Sequence, residues 1–135
     1  MAQRGKKNRF DFQGKDLEYY NALMEARENV LTKMQYRVDE VRDCSNVEKR
    51  GVNTHMADVS HDNARHEMEM RMLSEDGDVL KLIEEALERL ANGEFGRCQE
   101  CGEPISEGRL KVRPYAVFCI KCKTKHEQQE QTRRR

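Results

Sequence analysis

Two long proline-free stretches carry apolar residues at heptad spacing. Two Cys-x2-Cys pairs follow, seventeen residues apart. Together these features predict a mainly α chain: a long antiparallel helical hairpin of coiled-coil type, a small lobe built on four cysteines, and a C-terminal helix. Composition points the same way. Of 135 residues, 37% are charged and 36% apolar, against about 25% and 45–50% in an ordinary globular domain. So few apolar residues cannot fill one large round core, but they can line a narrow stripe on each of two helices.

Residues 1–15 carry five bases and one acid and read as a basic N-terminal tail. The hairpin follows over 16–92. From Asp16 to about Lys49 there is no Gly or Pro, and Leu17, Tyr20, Met24, Leu31, Met34, Val38 and Val41 recur in steps of three and four. Arg27 alone breaks the series, while Leu23 and Val30 widen it. The segment Arg50-Gly51-Val52-Asn53-Thr54-His55 has no apolar period and reads as a turn, which puts the hairpin tip near 50–58. A second helix over about Asp58–Ala91 carries Ala64, Met68, Met72, Val79, Leu82, Ile83, Ala86 and Leu90, and ends at Asn92-Gly93. Gly77 inside it is a candidate kink. Each stripe is too narrow to be buried except against the other, so the helices should fold back on one another.

The lobe spans 93–123, and a C-terminal helix with a basic tail spans 124–135. Cys98, Cys101, Cys119 and Cys122 form the two pairs. Each pair turns tightly enough to aim two sulfurs at one point, and two pairs complete a tetrahedron of thiolates around one Zn2+. Four protein thiolates leave no open coordination position, so such a zinc site is structural. A redox-active dithiol is the competing reading of the same spacing. Phe95, Ile105, Leu110, Val112, Val117, Phe118 and Ile120 are the expected mini-core, too small to hold without the metal. Cys44, alone on the first helix, reads as an ordinary reduced residue or a regulatory thiol. His126 reads as a surface residue.

Other classes are weakly supported. The longest apolar run, Tyr115–Ile120, has six residues, far short of the roughly 20 that span a bilayer. The N-terminus has charges with no apolar segment after them, which is not a secretory signal. A cytoplasmic protein without membrane contact is expected. Residues 16–120 hold 14 bases and 22 acids, unlike a uniformly basic nucleic-acid binder. A zinc ribbon that binds nucleic acid through its basic tails is the alternative function. No enzyme is expected: His66-Glu67-Met68-Glu69-Met70 lacks the second histidine of a metalloprotease motif, and no Gly-rich phosphate loop is present. Met68 and Met72 read as core filler.

The zinc-lobe residues carry a further pattern. Gly93-Glu94-Phe95-Gly96-Arg97-Cys98, Cys101-Gly102, Ile105, Arg109-Leu110-Lys111-Val112-Arg113-Pro114 and Cys119-Ile120-Lys121-Cys122-Lys123 resemble the DksA/TraR C4-type zinc-finger proteins. The likeness is close over 78–123 and architectural over the first helix. It implies a bacterial transcription regulator, a monomer, that binds RNA polymerase without sequence-specific DNA contact. The hairpin of such proteins enters the polymerase secondary channel, and acidic tip residues act near the active site to modulate initiation. Full-length members work with guanosine tetraphosphate. Aligned on Cys98, Asp58 takes the place of the second tip acid, His55 that of the first, and Ser60 that of a tip alanine. Asp62 and Ala64 offer an acid and an alanine one turn further on. Arg113 and Lys123 match basic positions of the nucleotide site, and Lys81 neighbours Leu82, where a helix lysine is expected. The competing role for Arg113 and Lys123 is to offset the thiolate charge.

Overall fold

The computed structural model describes residues 11–45 and 56–135, and the side chains of all of these except 44–45 and 56–59. Four helices follow one another: α1 (Lys15–Ser45), α2 (Met56–Asn92), α3 (Glu107–Val112) and α4 (Ile120–Arg133). Among the described residues there is no strand, only an isolated bridge between Arg97 and Pro104. None of these helices is long and apolar enough to cross a membrane. The chain divides into two compact units, one of residues 1–26 with 82–135 and the other of residues 27–81.

Each helix is delimited by local chemistry. Gly14, at φ 60°, turns the chain into α1, and its carbonyl accepts the Glu18 amide. Asp16 and Glu18 then place negative charge against the positive end of the helix. α2 runs unbroken through Gly77 and ends in a Schellman motif. There the Glu94 amide donates to the Arg89 carbonyl at 2.8 Å and the Gly93 amide to Leu90 at 3.2 Å, with Gly93 at φ 77°. α4 starts at Ile120, four residues before the expected position, because Cys119 is its N-cap and the second cysteine pair opens its first turn.

In the unit of residues 27–81, α1 and α2 run antiparallel. Arg37 reaches Glu69 and Asp76, while Glu40, further along α1, pairs with the earlier residue Arg65 on α2. The seam differs from the apolar series in the sequence. The buried or half-buried α1 positions include the line 20, 23, 27, 30, 34, 37 and 41, flanked by 16, 19, 22, 26, 38 and 40. Leu23 and Val30 are thus central, whereas Leu17, Met24 and Leu31 sit at the exposed edge, Leu31 at 39%. Val38 remains half-buried. On α2, Met72, Val79, Leu82, Ile83, Ala86 and Leu90 of the apolar series are buried or half-buried, as are 62, 66, 69, 73, 76, 80 and 87, whereas Ala64 and Met68 face solvent, Met68 at 57%.

The physical reason is the continuation of the Leu23–Val30 line by Arg37. Its Nε donates to Asp76 at 2.7 Å, and its Nη1 donates to Glu69 at 3.1 Å and to the Met72 sulfur at 3.2 Å. A half-buried guanidinium with two carboxylate partners is tolerated in a seam, and the heptad frame then follows the charge clasp.

The other unit is apolar where the first is charged. Leu23, Ile83, Ala86 and Leu90 are buried along α1 and α2. Tyr19 lies against Phe95 with ring centroids 4.9 Å apart, and both rest on the cysteine core. Phe12, placed by sequence in the tail, is buried and stacks on Tyr20 at 5.2 Å. Lys15 pairs with Glu107 at the start of α3.

The two candidate frames separate cleanly by substitution. Leu23→Ala should lower unfolding free energy by about 2–5 kcal/mol, as for a fully buried leucine. Leu31→Ala should change it by only about 0.5 kcal/mol. Urea unfolding followed by helical circular dichroism measures both, and the reverse order would restore the frame read from the apolar series.

Candidate metal centre and basic groove

The four cysteines come together because two short loops are folded by backbone hydrogen bonds. In the first, the Gly102 amide donates to the Cys98 carbonyl at 3.0 Å and the Cys98 amide to Glu103 at 2.8 Å. Gly96 and Gly102 take φ values of 83° and 73°, which L side chains rarely adopt. Leu110 lies 3.7 Å from the point where a Gly96 Cβ would be, which leaves little room for a larger residue. The second loop is tied to the first by the Gln99 amide, which donates to Val117 at 3.1 Å. Arg109 Nε donates to the Phe118 carbonyl at 3.0 Å, a bracing role that spacing alone does not reveal.

The four sulfurs lie within 4.8 Å of one another, with Cys101 and Cys119 Sγ 3.7 Å apart. A tetrahedron of Zn–S bonds of about 2.3 Å has edges of about 3.8 Å, so the donor set fits one zinc ion. Cys98, Cys119 and Cys122 are buried and Cys101 is exposed. The core around them holds Ile105, Leu110 and Ala116. Two expected core residues are turned to solvent, Val112 at 87% and Ile120 at 60% exposure, and Val117 is half-buried outside the cluster. Val112 and Ile120 sit on the outward faces of helices that begin inside the lobe, a phase that an apolar count along the chain cannot resolve.

The thiols differ in acidity. Burial opposes charge on Cys98, but the amides of Cys101, Cys119 and Glu100 point at its sulfur and bring it down to about 6. Burial pushes the Cys122 thiol up, reinforced by hydrogen bonds with Cys119, Cys101 and Cys98. For Cys101 the Glu103 amide pulls downward, yet burial and the thiols of Cys98 and Cys119 leave it raised. One thiolate forms readily, therefore, and its neighbours resist a second negative charge until a dication shares the site.

Residues 93–128 match the prokaryotic dksA/traR C4-type zinc finger. The structure is similar to that of transcription factor DksA2 from Pseudomonas aeruginosa, with a TM-score of 0.71 and 32% identity, covering 86% of this chain and 85% of that one. The chain belongs to the DksA/TraR family. The RNA polymerase-binding transcription factor DksA of Caulobacter vibrioides is 29% identical over 122 residues, which cover 89% of this chain and 82% of the relative. The protein of the same name from Escherichia coli K12 is 39% identical over 57 residues, 42% of this chain and 38% of that one. Membership agrees with a structural Zn2+ held by Cys98, Cys101, Cys119 and Cys122.

The other expected site residues fall out as follows. Arg113 and Lys123 line one groove of about 550 Å3, with the exposed Val112 and Ile120 beside them. Lys123 also lies 3.7 Å from Glu127, one turn along α4. Lys81 is exposed on α2 and is not among the residues lining that groove. Asp62 is half-buried on α2. His55 and the turn at 50–55 lie outside the described residues, as do the side chains of Asp58 and Cys44. His126, expected as a bare surface residue, is half-buried. Its Nε2 lies 2.7 Å from a Glu100 carboxylate oxygen, and its ring lies tilted against Phe118 with centroids 4.8 Å apart.

Zinc affinity should fall steeply on acidification. Cys101 and Cys122 hold their protons above the usual thiol range, so zinc must displace both near neutral pH and acid favours the metal-free state. Affinity should fall by more than about tenfold per pH unit. Competition with a chromogenic chelator across pH measures it, and a slope of one proton or less per zinc contradicts the thiol assignments.

Proposed function

We propose that the chain binds RNA polymerase and modulates transcription initiation. What carries the reading is the alignment of 89% of the chain with a protein named as an RNA polymerase-binding transcription factor. The tetrathiolate lobe and the paired helices support it. In this reading the functional segments are the basic tail 1–15, the hairpin 16–92, the zinc lobe 93–123 and the C-terminal helix and tail 124–135. The hairpin enters the polymerase secondary channel and carries its tip, near 50–58, towards the active site. Asp58 is the effector acid there, with Asp62 in reserve and His55 in place of a first acid. The protein acts as a monomer in the cytoplasm, without catalysis of its own and without sequence-specific DNA contact.

Guanosine tetraphosphate is the effector this reading favours. Arg113 and Lys123 supply cations on one groove, and Lys81 is a further candidate. Guanidinium and ammonium groups suit phosphate oxygens, the first bidentately and the second as a point charge.

Purified polymerase tests the proposal. Wild-type protein should bind it and shorten or lengthen open-complex lifetime at a ribosomal-RNA-type promoter. Asp58→Asn should retain binding and lose that regulation. Absence of binding overturns the function, whereas intact regulation by Asp58→Asn overturns only the tip assignment. Arg113→Ala should abolish any added effect of guanosine tetraphosphate and leave the basal effect in place.

A further inference from the structure

Arg89 lies in the last turn of α2, where its backbone carbonyl forms part of the Schellman motif. Its side chain is not explained by that role. Nε, Nη1 and Nη2 are all shielded from solvent, and none has a hydrogen-bond partner. Glu85, one turn earlier, favours the charge through space without bonding to it, and burial works against the charge more strongly. A guanidinium carries five N–H donors and stays protonated, so leaving all of them unmet inside a protein is unfavourable. Such a group is retained at a cost in stability when something outside the folded chain meets it.

Arg89 borders a groove of about 480 Å3 whose other walls include Gly93, Glu94, Arg97, Cys98 and Gly102. A Cβ built at Gly93 or Gly102 would meet nothing within 4 Å, so this part of the surface is open to a visiting group. The groove shares no residue with the one lined by Arg113 and Lys123.

We propose that Arg89 and this groove form a receptor for a carboxylate group. The fork of a guanidinium matches the two oxygens of a carboxylate bidentately. Charge then selects among oxyanions. Arg97 adds a second, exposed cation, while Glu94 and the Cys98 thiolate are negative. A tetrathiolate zinc site carries a formal charge of −2. A singly charged carboxylate is accepted in that setting, and a phosphate dianion is repelled. The carboxylate comes either from a free small acid or from an acidic side chain on the polymerase, and the second source rests on the function proposed above.

The full-length zinc-loaded protein, labelled with 15N, tests this through the Nε–Hε resonance of Arg89. Acetate is titrated at constant ionic strength, with phosphate as comparator. Polymerase affinity is measured in parallel for wild type, Arg89→Lys and Arg89→Met. A saturable acetate-dependent shift, larger than that with phosphate, identifies a site open to free acids. A loss of about tenfold or more in polymerase affinity for Arg89→Met, with Arg89→Lys between, places the carboxylate on the polymerase. In either case Arg89→Met should unfold no earlier than wild type. Three results overturn the proposal: no response in either arm, a stronger response to phosphate, or a drop in the unfolding midpoint of Arg89→Met, which would reveal a partner within the chain. If wild type fails to bind polymerase while acetate still shifts Arg89, the proposed function fails and the receptor stands.

Discussion

Four thiol sulfurs gathered within 4.8 Å of one another are mutually repulsive as thiolates and poorly solvated as thiols. A dication among them removes the repulsion and turns an unfavourable cluster into a crosslink between two loops. Most of the lobe depends on that crosslink. Its core offers only Ile105, Leu110 and Ala116 besides the cysteines, too little apolar surface to order some thirty residues by itself. The first turn of α4 is part of the site, since Cys119 caps the helix and Cys122 lies within it. Tyr19 and Phe95 rest on the same core, so the start of α1 and the segment after α2 are ordered by contact with the metal site.

The helix pair is held by different forces in its two units. Leu23, Ile83, Ala86 and Leu90 give one of them an apolar seam whose burial is non-directional and tolerant. The other has Arg37 clasped by Asp76 and Glu69, with Arg65 on Glu40. Such pairs fix register more than they add stability, because desolvating each charge offsets much of the attraction between them. A seam of this kind specifies which residues face each other without requiring a large apolar surface, and this suits a chain with nearly equal shares of charged and apolar residues. Its strength should also weaken with ionic strength, whereas the apolar seam should not.

Much of this was legible in the sequence. The cysteine spacing specified the ligand set, and a mostly Gly- and Pro-free heptad pattern specified two long helices. The phase of the seam was legible only in part, because Leu17, Met24 and Leu31 recur in step with Tyr20, Met34, Val38 and Val41 yet lie at its exposed edge. Only the partners of Arg37, contributed by α2, reveal that a charge belongs there. Val112 and Ile120 looked like core because they adjoin core residues in sequence, yet the short helices bearing them turn them outward. The sequence assigned no individual role to Arg89 or Arg109. Nothing in the order of residues distinguishes a guanidinium that braces a loop or lacks a partner from one that is simply solvated. Tyr19, one position beside the apolar series, carries a ring whose contact with Phe95 only the folded chain defines.

The central claim is that the metal site and the helix segments around it form one cooperative body. Amide hydrogen exchange with and without a zinc chelator tests it most directly. Removal of zinc should abolish protection in residues 95–122 and, together with them, in residues 82–92 of α2 and 15–26 of α1. Amides of 62–76 should keep theirs. Protection in 82–92 that survives chelation while the lobe loses its own would contradict the account, showing that the helices order themselves without the thiolate crosslink.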